Sequence, residues 1–150
     1  MSETELVLRR LIDAPRALVF KAWTDPASMA RWWGPKGFVT VDHDMDVRPG
    51  GAYRFRMRGP DGVDRRKRGV YREIVAPERI VFTFAWEDED GRLGPETLIT
   101  VTLDERGSQT MLTLRQENFD TVENRDSHIG GWTSCLDRFA EYMISNEALT

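Results

Sequence analysis

The residues of this chain equipped for chemistry are few: His43, His128, Cys135, the polar pair Gln116 and Glu117, and two sets of charges at alternate positions, Asp42/Asp44/Asp46 and Arg54/Arg56/Arg58. A histidine turned toward an apolar interior orients a ligand or exchanges a proton near neutral pH, and His43 stands where apolar and acidic residues alternate. Cys135 and His128 are the types that a thiol nucleophile and its base require, but no third group to orient the base is visible. A lone cysteine serves equally as a small buried hydrophobe. It cannot form an internal bridge, and nothing near it has the spacing of zinc ligands. The chain therefore calls for no metal and no cofactor, and suits a reducing, cytoplasmic compartment. The three aspartates read as a cation site or, with the arginines to neutralise them, as one wet face of a hairpin. The run Arg65-Arg66-Lys67-Arg68 divides between two faces of a strand without interleaved aromatics, which reads as a solvated rim rather than a nucleic-acid surface.

These residues need a frame, and the periodicity of the chain supplies it. Its 150 residues are enough for a single domain, with a core from about residue 6 to 143. A net charge of −4 with both signs intermixed argues against nucleic acid or an anionic membrane as partner. The N-terminal run Met1-Ser2-Glu3-Thr4-Glu5 is acidic, and no apolar run approaches the roughly 18 residues that cross a bilayer. Glu5 to Ile12 alternates as a strand and ends at Asp13-Ala14-Pro15, where Asp13 can cap a short helix with Val19, Phe20 and Trp23 on its apolar side. Thr24-Asp25-Pro26 restarts a second short helix that ends at Trp32-Trp33-Gly34-Pro35. From Phe38 the period drops to two, predicting six further strands over 38–47, 52–58, 65–75, 79–86, 97–103 and 110–116. Short turns such as Pro49-Gly50-Gly51 and Pro60-Asp61-Gly62 make neighbours antiparallel. Last comes an amphipathic helix, Asp126 to Met143, with Ile129, Trp132, Leu136, Phe139 and Met143 along one side.

The charge sets give the sheet its inside and outside. With the first turn centred on Gly50, Asp46 faces Arg54, Asp44 faces Arg56 and Asp42 faces Arg58 on the wet side. Val41, His43, Met45, Tyr53, Phe55 and Met57 then point toward the helix. Ile80, Phe82, Phe84 and Trp86 share a parity and face inward, as do Ile99, Val101 and Leu103, then Leu112, Leu114 and Gln116. The next hairpin stays open: a two-residue Asp61-Gly62 turn puts Val70, Arg72 and Ile74 inside, and a loop one residue longer puts Gly69, Tyr71 and Glu73 there. Gly130-Gly131 costs helix stability, about 1 kcal/mol per residue relative to alanine, and glycine admits a close neighbour or a ligand.

Several of these segments together resemble a known family. Ala14-Pro15 with Val19-Phe20, Trp23-Thr24-Asp25-Pro26, Trp32-Trp33-Gly34-Pro35, Arg48-Pro49-Gly50-Gly51 with Tyr53, Gly69-Val70-Tyr71, and Gly131-Trp132 with Leu136-Asp137 and Phe139-Ala140-Glu141-Tyr142 look like the stand-alone bacterial proteins related to the activator of Hsp90 ATPase. That homologue 1-like family belongs to the SRPBCC superfamily of START lipid-binding domains, the birch-pollen allergen Bet v 1 and polyketide cyclases. The resemblance runs from about Leu6 to Met143 and implies an α+β helix-grip fold, a seven-stranded antiparallel sheet wrapped around a long C-terminal helix. It implies an apolar small molecule between helix and sheet, and it transfers no catalytic residue.

Three functions follow as expectations. The first is a binding module for a small hydrophobic or aromatic ligand, with His43, Met45, Tyr53, Phe55, Met57, Phe82, Phe84, Trp86, Gln116, Trp132, Cys135 and Phe139 as cavity lining. The second is a cyclase-like, dehydratase-like or hydrolytic enzyme using His43 with Gln116 or Tyr53. The third is a protein-interaction role, as a homodimer or a chaperone partner, through an exposed patch of Trp32, Trp33 and the Pro35-Lys36-Gly37 loop.

Overall fold

The computed structural model describes residues 2–145; Met1 of the acidic N-terminal run and residues 146–150 lie outside the described residues. Alternating apolar residues build β1 (Glu5–Ile12), β2 (Val39–Met45), β3 (Ala52–Arg58), β4 (Asp64–Val75), β5 (Arg79–Glu87), β6 (Thr97–Arg106) and β7 (Gln109–Glu117). They form one antiparallel sheet in the order β1-β7-β6-β5-β4-β3-β2. Between β1 and β2 the chain passes through α1 (Arg16–Thr24) and α2 (Pro26–Trp32) to the far edge, then returns strand by strand until β7 pairs with β1. The final helix, α3 (Val122–Ile144), buries Trp132, Cys135, Leu136, Phe139 and Met143. It starts before Asp126 because the Thr121 hydroxyl accepts the Asn124 N–H at 3.0 Å and caps a polar first turn that carries no apolar period. At α1 the cap position belongs to Pro15, not to Asp13.

The first hairpin keeps the expected parity and shifts its rungs. Asp42 lies opposite Arg56 and Asp44 opposite Arg54, so the turn is centred one residue earlier than Gly50. A register shift between Thr40 and Asp42 leaves Val41 exposed. The arginines find other partners: Arg54 pairs with Glu87 at 3.1 Å, Arg58 with Asp64 at 2.7 Å, and Arg48 with Asp46 at 2.8 Å. Because side chains alternate with period two, the displacement leaves Tyr53, Phe55 and Met57 inside, at 1%, 2% and 3% exposure.

The core is aromatic where the helices meet. Trp23 and Trp32 lie 4.6 Å apart between ring centroids, Trp32 and Phe139 likewise 4.6 Å, and Trp132 stacks on Trp23 at 6.1 Å. Trp32 also donates its ring N–H to the Ala22 carbonyl at 3.0 Å. Trp33 packs on Tyr53 and Phe55 at 5.4 and 4.8 Å. The expected exposed tryptophan patch is therefore absent from these two residues, which are 0% and 3% exposed. Burying two large rings with a satisfied indole N–H outweighs presenting them to water.

Candidate functional site

The hairpin between β3 and β4 decides what faces α3. Gly59 donates its N–H to the Val63 carbonyl at 3.2 Å, which sets Arg58 opposite Asp64, Phe55 opposite Lys67 and Tyr53 opposite Gly69. Of the two parities left open above, the longer loop holds, with Gly69 and Tyr71 inside. A Cβ on Gly69 would lie 1.9 Å from the Thr83 carbonyl oxygen and 2.8 Å from the Tyr53 ring, so only glycine permits this approach of β4 to β5. The register then shifts between Tyr71 and Glu73.

The same parity carries Lys67 inside, contrary to a wholly solvated basic rim. It is 3% exposed, with Nζ 3.7 Å from the Trp33 ring centroid and 5.6 Å from that of Phe55. Among the described residues no carboxylate and no hydrogen-bond acceptor contributes to the titration of this amine. Burial pulls its pKa from 10.5 down to about 7, and the Arg138 guanidinium adds to the fall. The signal that finds Lys67 is its even spacing from Gly69 and Tyr71, which becomes readable once the hairpin loop is known.

Lys67 borders a cavity of about 540 Å³ between the sheet and the first half of α3. Met57 on β3 and Phe84 and Trp86 on β5 form its sheet side. Gly131, Trp132 and Cys135 form the helix side, and Trp33 and Phe38 close the end beside α2. A Cβ on Gly131 would meet no atom within 4 Å, so the missing side chain widens the cavity. Charged residues, among them Arg66, Glu87 and Glu89, ring its mouth.

Of the residues expected to line such a space, Met57, Phe84, Trp86, Trp132 and Cys135 border it. Tyr53, Phe55, Phe82 and Phe139 lie in the packed core, and the Tyr53 hydroxyl donates to the Thr83 carbonyl at 2.6 Å, its pKa raised by burial. Gln116, expected in the lining, does not border the cavity. It is wholly buried, accepts the Trp132 ring N–H at 2.9 Å and donates to the Thr97 hydroxyl at 2.8 Å, which in turn donates to the Phe84 carbonyl. Met45 is half-buried beside the core. His43 departs from expectation: it stacks on Phe55 at 5.5 Å but is exposed, because β2 is the edge strand and the inner face runs out from under α3 there.

His128 lies within α3 rather than at its start, against the rings of Phe84, Trp86 and Phe119. Trp86 donates its ring N–H to His128 Nε2 at 3.1 Å, so Nδ1 carries the proton and donates to the Asn124 carbonyl at 2.9 Å. Burial lowers its pKa and keeps it neutral. Cys135 accepts the Gly34 N–H and donates to the Trp32 carbonyl, and burial raises its pKa, so it stays a thiol. Both groups of the supposed nucleophilic pair are thus committed to structure. Among the described residues no group of three or more His, Cys, Asp or Glu side chains is placed to hold a metal, and no helix is long and apolar enough to cross a membrane.

A seven-stranded antiparallel sheet closed over a long C-terminal helix, with an aromatic cavity between them, defines a helix-grip protein. The chain belongs to the family described as activator of Hsp90 ATPase homolog 1-like protein, which it matches over residues 13–143. It is similar to a solved protein from Silicibacter pomeroyi that bears the same family label, with 26% identity over 93% of this chain and 96% of that one and a TM-score of 0.84. A protein from Chromobacterium violaceum is 28% identical over the same shares, with a TM-score of 0.82. One from Nitrosomonas europaea, 24% identical, covers 99% of both chains at a TM-score of 0.82 and shares the fold. No curated protein matches the sequence.

Proposed function

We propose that this protein binds a small hydrophobic or aromatic molecule in the cavity beneath α3, in a cytoplasmic setting where Cys135 remains reduced. The observation that carries this reading is the cavity itself: about 540 Å³, walled by Met57, Phe84, Trp86 and Trp132. Sites for drug-sized ligands span roughly 300–1,000 Å³ and have the same anatomy, an apolar lining with a few polar groups. Gly131 supports it, since a helix glycine facing open space gives up stability without a packing reason. The enzymatic reading built on His43, Gln116 and Tyr53 draws no support, because His43 is exposed and the other two are satisfied by buried hydrogen bonds. The chaperone-partner reading loses the tryptophan patch that motivated it.

Native mass spectrometry of the purified protein, followed by a thermal-shift screen of fatty acids, sterols, flavonoids and polyketide-like aromatics, tests the proposal. A co-purifying small molecule, or a concentration-dependent rise in Tm with an apolar compound, supports it. No adduct and no shift across the whole screen removes it.

A further inference from the structure

Lys67 is a buried cation without an anion. An amine placed between Trp33 and Phe55, at 3.7 and 5.6 Å from their centroids, is favourable to the rings, yet neither ring accepts a hydrogen bond as an oxygen does. The groups that face it from each neighbouring element supply no negative charge. From α3 come Cys135, held as a thiol, neutral His128, and Arg138, whose guanidinium donates to the Phe38 carbonyl at 2.9 Å. From β3 come Phe55 and Met57, and from β5 Phe84 and Trp86, none of which ionises. The carboxylates at the mouth are largely engaged: Asp64 with Arg58 and Arg56, Glu87 with Arg54 and Arg68, and Asp88 as acceptor of the Asp90 and Arg92 N–H groups. Glu89 lies at the mouth, on the solvent side of the cavity.

We infer that the ligand of this cavity is an apolar organic acid whose carboxylate is received by the Lys67 ammonium while its hydrocarbon body lies against Phe84, Trp86 and Trp132. The inference rests on the cavity-binding reading above and names its ligand class. A carboxylate supplies the acceptor the amine lacks and is favoured by the Arg138 charge beside it. Pairing also returns Lys67 to its charged form, so binding above neutral pH takes up a proton. A neutral ester gains only the apolar contacts, and an amine ligand is repelled.

The test is isothermal titration of the full chain and its Lys67→Met variant with 1-naphthoate, methyl 1-naphthoate and 1-naphthylmethylamine. At pH 6.5 the native protein should prefer the acid to the ester by about tenfold or more, the usual range for a charge-assisted hydrogen bond, and should reject the amine. Lys67→Met should erase the acid preference while binding the ester within about twofold of the native protein, which also shows that the variant is folded. At pH 8, titrations in buffers of different ionisation enthalpy should show uptake of nearly one proton per naphthoate. Equal affinity for acid and ester in the native protein, or an acid preference that survives Lys67→Met, overturns the inference and leaves the cavity reading standing. Binding of none of the three probes, together with a silent thermal-shift screen, overturns both.

Discussion

Replacing Lys67 by methionine should stabilise the protein, and the gain should vary with pH in a way only a buried amine produces. In the unfolded chain the amine titrates near 10.5, and in the fold near 7. Because the folded value is the lower one, the penalty on the fold is complete below about pH 7, where both states are protonated. Between about 7 and 10.5 the unfolded chain binds more protons, so native stability rises with pH and the penalty fades. At about 1.4 kcal/mol per pH unit, the gap between the two values sets the cost of burying the charged amine at about 5 kcal/mol. Methionine is similar in length and volume and carries no charge. Urea unfolding followed by far-UV circular dichroism at pH 6.5, 7.5, 8.5 and 9.5 should show Lys67→Met more stable by about 5 kcal/mol at the lowest pH. That advantage should shrink by about 1.4 kcal/mol per pH unit above 7. Tyr53, Tyr71, Cys135 and His128 also titrate with shifted values, but they are present in both proteins and largely cancel in the difference. A difference that does not change with pH, or a native protein more stable than the variant at pH 6.5, refutes the reasoning.

Gly131→Ala should raise stability by about 1 kcal/mol in thermal or urea unfolding, since its new methyl meets nothing within 4 Å; Gly131→Phe should stay folded by circular dichroism yet lose cavity ligands in the thermal-shift screen. Gly69→Ala should cost about 3 kcal/mol or more in urea unfolding, or abolish folding, because backbone rather than a flexible side chain stands 1.9 Å from the added carbon. Gln116→Leu should cost about 2–4 kcal/mol, since it strands the Trp132 N–H and removes the amide donor that the Thr97 hydroxyl oxygen accepts. Adding Trp132→Phe to Gln116→Leu should cost less than the sum of the two single changes, a coupling that a double-mutant cycle in urea measures directly.

The chain's own periodicity determines a good deal of this molecule. The three-four spacing of Trp132, Leu136, Phe139 and Met143 marks the buried face of α3, and the inward parity of Tyr53, Phe55 and Met57 survives even though the ladder that revealed it is displaced by a rung. Both are properties of one segment at a time, and the alternation of side chains on a strand does not depend on which residue lies opposite. The family resemblance is likewise carried by local segments, and the match over residues 13–143 bears it out.

What the tertiary structure decided is everything that depends on two segments meeting. The arginines of β3 choose Glu87 and Asp64 over the aspartates of β2 because turn length and the shift at Thr40 set the real register. His43 has the right parity and the wrong strand: at the sheet edge an inward direction leads to solvent. Gln116 has a legible inward parity, and only the fold brings the Trp132 indole to it. Lys67 depends most on that assembly. One residue more or less between β3 and β4 would turn it outward into the basic rim that its neighbours suggest. The closure of the loop by Gly59 and Val63, and the contact that admits only glycine at position 69, place it instead as the single amine facing an aromatic cavity among the described residues.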